Sequence, residues 1–185
     1  MPVPPAKGAQ HLAPPHIKLD PSRTYTVTVV TNCGTFAFAL DVKQSPKTSA
    51  SIYYLVKRGF FNGLTFHRVA AGFVIQGGDP AGDGSGGPGY ALVEPPPANT
   101  QYARGDVAMA KTQTDPPGAS GSQFFIVTGA NVTQSAGLTP DYALAGKVVS
   151  GLNVVEKIGS LPTNPPQDGA PTTPVVMSSV TVSSR

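Results

Sequence analysis

Short runs of alternating apolar and polar residues, each bounded by Gly, Pro or Asn, limit the folds open to this chain more than any other feature. The runs Tyr25–Val30 and Thr35–Leu40 are rich in β-branched and aromatic residues, and the segment 32–34, Asn-Cys-Gly, lies between them. A period of two sends successive side chains to opposite faces of a strand, and Asn with Gly between two such runs favours a tight turn. The two runs therefore predict a β-hairpin.

The rest of the chain predicts further strands and two helices. Ser45 is a capping residue and Pro46 suits the first helical position, so a helix is predicted from there to about Arg58. A second, shorter helix is predicted from Leu152 to Gly159, where the apolar residues share one face. The other strands are predicted at Leu64–Val69, Phe73–Gln76, Asp106–Ala110, Gln123–Thr128, Tyr142–Val148 and Val175–Val182. This pattern predicts a mainly-β fold, a closed eight-stranded antiparallel β-barrel capped by two α-helices.

Composition divides the chain into an N-terminal tail and one domain. Residues 1–15 are rich in Pro and Ala and lack the apolar stretch of a signal peptide. Residues 1–23 are therefore predicted to be a disordered tail or linker, and residues 24–185 one domain that is long enough to bury a substantial core. A Pro-rich lead into a charge-poor domain is what we expect of a protein tethered outside the cell membrane through a segment missing from this chain. A cytoplasmic location is the alternative.

Charge and residue usage exclude several kinds of partner and cofactor. The formal net charge is +3 and the basic residues are scattered, so nucleic acid is not an expected partner. No apolar run approaches the roughly 20 residues that span a bilayer. After the tail, His67 is the one histidine and Cys33 the one cysteine, so no metal site is expected. Residues 82–87 fit the G-x-G-x-x-G template, but Pro88 follows where a helix should begin, so no dinucleotide site is predicted.

Two of the short predicted strands each present an amide and an apolar side chain on one face. Val74 and Gln76 share a face of the first, and Gln123 and Phe125 share a face of the second. Taken alone, this pattern favours a half-buried sheet with ordinary surface glutamines.

Ordered motifs along the chain give these strands a more specific interpretation. The motifs are FHRV at 66–69, GFVIQGGD at 72–79, Met109-Ala110, GSQFFI at 121–126 and AGKV at 145–148. Together they resemble the signature of the cyclophilin family of peptidyl-prolyl cis-trans isomerases, in a bacterial-like form that lacks the family's pocket Trp. The resemblance runs in the expected order from Tyr25 to the C-terminus.

The resemblance implies an enzyme that accelerates rotation about X-Pro bonds in proline-containing polypeptides and assists protein folding. We expect this chain to be a monomer. Such rotation needs no nucleophile, metal or cofactor. It needs an apolar slot that grips the proline ring and a fixed donor that binds the twisted amide better than the planar one. Arg68 is implied as that donor, with Gln76 holding it or the substrate carbonyl, and Phe73 completes the catalytic group.

The resemblance also implies the residues that bind substrate. Val74, Phe125 and Leu138 would join Phe73 in the proline slot, with Tyr142 at its rim. The residues before proline would lie in a groove lined by Ala110, Lys111 and Gln123, with Gly84 in the loop beside that groove.

Three departures from the family pattern bear on ligands. Val74 stands where the best-known members have Met, Lys111 where they have Asn, and Gly137 or its neighbour where many eukaryotic members have a pocket Trp. The smaller slot residue and the missing Trp predict weak cyclosporin binding. Two alternatives stay open. One is a cyclophilin scaffold that binds proline-containing segments without significant turnover, and the other is a small-molecule-binding barrel with a hollow interior.

Overall fold

The computed structural model of this protein describes residues 4–130, 132–135 and 137–185. Its helices are α1 (Pro46–Lys57), α2 (Val132–Ser135) and α3 (Leu152–Gly159). Its strands are β1 (Tyr25–Thr31), β2 (Gly34–Leu40), β3 (Arg68–Ala70), β4 (Val74–Gly77), β5 (Leu92–Val93), β6 (Asp106–Met109), β7 (Ala119–Ser120), β8 (Phe124–Val127), β9 (Leu144–Ser150), β10 (Thr163–Asn164), β11 (Asp168–Pro171) and β12 (Met177–Ser184).

Among the described residues, eight strands form a closed antiparallel ring. Hydrogen-bonded neighbours follow the order β3-β4-β8-β6-β9-β2-β1-β12. The ring closes where Thr65 bridges Val176, just before β3 and β12 begin, and where the Phe66 amide donates to the Val175 carbonyl at 2.9 Å. β11 pairs with β3 beside this closure, β10 pairs with β11, and β5 pairs with β7 apart from the ring. The predicted fold is confirmed.

Aromatic side chains fill the interior of the barrel. The ring of Phe124 lies 5.9 Å from those of both Phe61 and Phe66 and 6.4 Å from that of Phe38, centroid to centroid. A cavity that Phe38, Phe61 and Phe124 line together with α1 side chains measures about 10 Å³, about the smallest space that holds one water. Among the described residues, the aromatic filling and so small a cavity argue against a hollow barrel that binds a small molecule.

The two predicted helices pack on the barrel, α1 against β12 and β9 and α3 against β2, β3 and β4. The single turn of α2 was not predicted. The predicted cap of α1 is wrong, because Ser45 makes no side-chain capping hydrogen bond. The carboxylate of Glu94 takes its place and accepts from the amides of Lys47 (3.0 Å) and Thr48 (2.7 Å). A negative charge at this end of a helix also offsets the helix dipole.

Residues 4–20, which we call the N-terminal strap, contain no helix or strand and lie along the surface of the barrel. The amides of Lys7 and Leu12 donate to the carbonyls of Pro80 and Pro88, both at 2.9 Å. The backbones approach so closely that a Cβ on Gly89 would lie 2.5 Å from a carbonyl oxygen of the strap. The disorder predicted for residues 1–23 stays a prediction, and residues 1–3 lie outside the described residues. Within the described ranges, no helix is both long and apolar enough to cross a membrane.

Candidate active site

Three neighbouring strands bring an arginine, an amide and an apolar ring to one face of the sheet. Arg68 on β3 is directly opposite Gln76 on β4, and Gln76 is opposite Phe125 on β8. Residues that are directly opposite in an antiparallel pair point to the same face. The Arg68 guanidinium uses this proximity, since its Nη1 donates to Gln76 Oε1 at 3.2 Å.

A row of hydrogen bonds continues from Gln76 to the loop from Asp79 to Gly89, which we call the glycine-rich loop. Gln76 Nε2 donates to Gln123 Oε1 at 3.1 Å, and Gln123 Nε2 donates to the carbonyls of Gly84 (2.8 Å) and Gly86 (2.9 Å). The buried carboxylate of Asp79 holds this loop from below, because it accepts from the amides of Ala81 and Gly84. Sequence reasoning included Asp79 in a motif but gave it no role.

Asp168 is the residue that sequence reasoning missed. Its two carboxylate oxygens accept from Arg68 Nε at 2.7 Å and from Arg68 Nη2 at 2.8 Å. The hydrogen bond from Arg68 holds the pKa of Asp168 below its ordinary value, and the same contact raises the pKa of Arg68. The side chains are 37% and 53% exposed, so solvent screens much of their attraction. The contact therefore fixes geometry more than it stabilises the fold.

A cavity of about 190 Å³, which we call the slot, opens beside the guanidinium, and its wall is partly apolar and partly polar. Its lining is Arg68, Phe73, Val74, Gln76, Ala110, Lys111, Phe125, Leu138 and Tyr142. The rings of Phe125 and Tyr142 meet edge to face with centroids 5.3 Å apart. Buried Tyr102 supports this wall, since its hydroxyl donates to the Tyr142 carbonyl (2.6 Å) and accepts from the Tyr142 amide (3.1 Å).

A second cavity of about 220 Å³ adjoins the slot, and we call it the side pocket. Gln76, Ala110 and Lys111 line both cavities, whereas Gly84 and Gln123 line the side pocket alone. The structure thus brings every predicted site residue to one of two connected cavities. The Lys111 ammonium donates to the carbonyls of Thr112 and Asp115 at 3.2 Å and lies 5.4 Å from the centre of the Tyr142 ring.

His67 follows Phe66 in the same motif but lines neither the slot nor the side pocket. Its Nδ1 is buried without a hydrogen-bond partner among the described residues, and burial lowers its pKa. In the part of the chain that the structure describes, no three His, Cys, Asp or Glu residues are placed to hold a metal ion. The groups that line the two cavities are the Arg68 guanidinium, the amides of Gln76 and Gln123, and the apolar side chains beside them.

A closed eight-stranded barrel with a guanidinium held beside a partly apolar surface slot defines the cyclophilin class of folds and sites. The family model described as cyclophilin type peptidyl-prolyl cis-trans isomerase/CLD matches residues 26–182, and the chain belongs to this family. The prediction made from the sequence motifs is therefore confirmed for the family, the fold and the type of enzyme.

Curated relatives agree with this assignment over most of the chain. A peptidyl-prolyl cis-trans isomerase of Helicobacter pylori is 37% identical over 154 residues, which cover 76% of this chain and 90% of the relative. Peptidyl-prolyl cis-trans isomerase A of Mycobacterium tuberculosis is 35% identical over 182 residues, which cover 89% of this chain and 95% of the relative.

Solved structures agree as well. A cyclophilin type peptidyl-prolyl cis-trans isomerase of Cryptosporidium parvum superposes with a TM-score of 0.76 at 29% identity, covering 88% of this chain and 99% of that one. A crystal structure of that protein in the presence of the dipeptide Ala-Pro gives a TM-score of 0.75 at 30% identity, covering 86% of this chain and 99% of that one. None of these matches supports a binding module without turnover.

Proposed function

We propose that this chain accelerates cis–trans rotation about X-Pro bonds in polypeptides and so assists their folding, with Arg68 as the catalytic residue. Uncatalysed, this rotation takes tens to hundreds of seconds at 25 °C because the amide must lose its resonance. The observation that carries the proposal is the guanidinium of Arg68 held at the wall of a slot of about 190 Å³ that is also lined by the apolar side chains of Phe73 and Phe125. The Ala-Pro dipeptide used with the similar Cryptosporidium structure supports a proline-containing ligand for that slot.

The mechanism is differential binding of the twisted amide. As resonance is lost, the imide nitrogen becomes pyramidal and gains a lone pair, which a fixed cationic donor binds better than it binds the planar ground state. Three of the five N–H groups of Arg68 are engaged by Asp168 and Gln76, which leaves one on Nη1 and one on Nη2 for substrate. Rotation breaks no covalent bond, so the proposed reaction uses no nucleophile, metal or cofactor.

The two cavities divide the substrate between them. Phe73, Val74, Phe125 and Leu138 hold the proline ring by apolar contact in the slot, and Tyr142 closes its rim. The residues before proline lie along Ala110, Lys111 and Gln123 toward the side pocket, beside the loop of Gly84. Gln76 lines both cavities, which suits it to orient Arg68 and a substrate carbonyl together.

An NMR exchange experiment on an Ala-Pro peptide tests this function. Arg68→Ala removes the donor, and we expect the exchange rate to fall by about 10²-fold, as for the loss of one preorganised transition-state donor. Arg104→Ala is the matched control, because Arg104 also forms an exposed ion pair, with Glu156 at 3.0 Å, and does not line the slot. Equal rates for wild type and Arg68→Ala, both folded by circular dichroism, would show that the proposed mechanism is wrong.

Weak cyclosporin binding belongs to the same proposal. The chain contains no Trp, Val74 leaves the slot wider than Met would, and the space next to Gly137 is open. A ligand that uses a pocket Trp therefore loses one of its partners here. The measurement is inhibition of the same exchange reaction by cyclosporin, and tight inhibition at low concentration would contradict the expectation.

The proposal extends to the assembly state and the location of the protein. A monomer is proposed because one chain supplies every predicted residue of the slot and the side pocket, and light scattering on the purified protein would reveal any dimer. A location outside the cell membrane is supported by the Pro-rich composition that precedes the barrel. Fractionation of bacterial cells that express the full gene tests it, and a purely cytoplasmic protein would contradict it.

A further inference from the structure

We propose that Asp168 is a positioning residue for the isomerase reaction, which holds the Arg68 guanidinium in the one orientation that serves the slot. This inference rests on the proposed function of Arg68 and goes beyond it by naming what fixes the donor. Neither the charge pattern nor the motifs of the chain point to Asp168, which lies 100 positions away from Arg68.

The contact between Asp168 and Arg68 sets both the plane and the rotation of the guanidinium. One hydrogen bond, such as that from Nη1 to Gln76, leaves a flexible arginine free to turn about it. Two parallel bonds, from Nε and Nη2 to the two carboxylate oxygens at 2.7 and 2.8 Å, remove that freedom. With the Nε edge occupied, the remaining Nη donors are turned toward Gln76 and the slot.

The backbone of Asp168 is itself paired with the strand that carries Arg68. Asp168 is opposite Ala70 in the pairing of β11 with β3, and the Ala71 amide donates to the Gln167 carbonyl at 2.7 Å. The next residue, Gly169, packs so tightly that a Cβ there would lie 2.6 Å from the backbone of Asn164. A carboxylate on such a backbone can hold a flexible cation in place, which a carboxylate on a loose loop would not do.

The ion pair of Asp168 and Arg68 has more hydrogen bonds than the two other ion pairs in the described part of the chain. Arg104 meets Glu156, and Lys147 meets Asp106, through one recorded hydrogen bond each. The pair of Asp168 and Arg68 has two, and its arginine also donates to a groove amide. An exposed ion pair adds little to stability, so its value here lies in orientation.

The test is the kinetics of Asp168→Asn, Asp168→Ala and Asp168→Glu on the Ala-Pro peptide. Asn keeps the size of Asp but replaces one carboxylate oxygen with an amide donor, and Ala removes both oxygens. In both variants we expect kcat to fall about tenfold, because a displaced Arg68 guanidinium binds the transition state less well. KM should change by less than about twofold, since the slot is untouched. Asp168→Glu restores the carboxylate and should recover part of kcat. Glu156→Gln, which breaks the ion pair remote from the slot, should leave both constants unchanged.

Two further measurements exclude a merely structural role. The NMR signal of the Arg68 Nε–H should exchange slowly with solvent in the wild type and broaden in Asp168→Asn, while the free energy of unfolding stays nearly constant. In a double-mutant cycle, Asp168→Asn should cause no further loss in an Arg68→Ala background, because its effect passes through Arg68.

The outcomes distinguish the two levels of the argument. An inactive wild-type protein would overturn the proposed function and the positioning role with it. An active wild type, an impaired Arg68→Ala and an unchanged Asp168→Asn would overturn the positioning role alone. A kcat loss that persists in the Arg68→Ala background would do the same.

Discussion

The hydrogen-bonded row at the active site has a direction, which Arg68 imposes. Arginine can only donate, so the amide of Gln76 must present its oxygen to Arg68 and its nitrogen to Gln123. Gln123 in turn presents its nitrogen to the carbonyls of the glycine-rich loop. Asp168 anchors the first end of the row and Asp79, through the loop, the other. Each amide therefore has one satisfactory orientation, and the row holds the groove in a single shape.

Asp168, at the first end of this row, should have a pKa below that of an ordinary aspartate. The hydrogen bond from Arg68 depresses the pKa of Asp168 below its ordinary value of 3.8. A depressed folded-state pKa means that the ion pair's small contribution to stability is complete above the ordinary, unfolded-state pKa and is lost as the pH falls through the lower folded-state pKa. A ¹³C carboxyl NMR titration measures it directly.

Removal of Arg68 provides the check on this titration. In Arg68→Ala the midpoint of Asp168 should return toward its ordinary value. Asp20, whose low pKa comes from its hydrogen bonds with Ser22, should keep its midpoint in the same variant. An Asp168 midpoint that does not move would mean that the guanidinium is not its partner in solution.

The buried hydroxyl of Tyr102 holds the backbone of Tyr142 at the wall of the slot. Tyr102 is 1% exposed, and burial raises its pKa to about 12, so its hydroxyl stays protonated under ordinary assay conditions. Tyr102→Phe leaves the amide and the carbonyl of Tyr142 without this partner, and we expect a loss of about 1–2 kcal/mol in the free energy of unfolding. Urea denaturation measures the loss. Tyr54→Phe, on the half-buried outer face of α1, should change it by much less.

At the scale of elements, α1 shows where a helix end is set by the fold and not by its own residues. Pro46 begins the helix as its fixed φ predicts, and the apolar stripe of Ile52, Leu55 and Val56 is buried. Two amides of its first turn, however, donate to Glu94, which lies 46 and 47 residues further along the chain in the segment between β5 and β6. The loop and the helix thus stabilise each other.

This arrangement predicts a contrast between two capping candidates. Glu94→Ala removes an acceptor shared by two helical amides together with a favourable charge, so we expect a loss of about 1 kcal/mol in the free energy of unfolding. Ser45→Ala should cost clearly less, because Ser45 makes no capping bond. Thermal or urea unfolding of both variants decides it, and the reverse order would restore the cap predicted from sequence.

The elements also show which parts of the fold and site are readable from sequence. Short apolar runs bounded by turn residues predicted the strands of Arg68, Gln76 and Phe125, because such runs depend only on neighbours along the chain. The run Leu64–Val69 was predicted as one strand, yet β3 begins at Arg68, since Thr65 makes only an isolated bridge at the barrel closure. The anchor of Arg68 was not predictable in this way, because tertiary packing across 100 residues brings Asp168 to it.

At the scale of the whole molecule, side chains fill the interior of the barrel, and the candidate active site lies on its outer surface. The cavity in the core measures only about 10 Å³, whereas the slot and the side pocket at the surface measure about 190 and 220 Å³. The loop from Asp79 to Gly89 joins this surface to the N-terminal strap. It contacts Gln123 on one side and accepts hydrogen bonds from the strap at Pro80 and Pro88 on the other.

That connection predicts that the strap adds to the stability of the domain. Leu12 packs against the barrel core and its amide donates to the Pro88 carbonyl, whereas the side chain of Ile17 is largely exposed, at 41%. Leu12→Ala should therefore lower the free energy of unfolding by about 1 kcal/mol, the share expected for a half-buried leucine, and Ile17→Ala should change it little. Urea denaturation and the hydrogen-exchange protection of the Leu12 amide measure the two effects. A disordered tail, the expectation from composition, predicts no change in either variant and an unprotected amide, so the same pair of measurements decides between a strap and a linker.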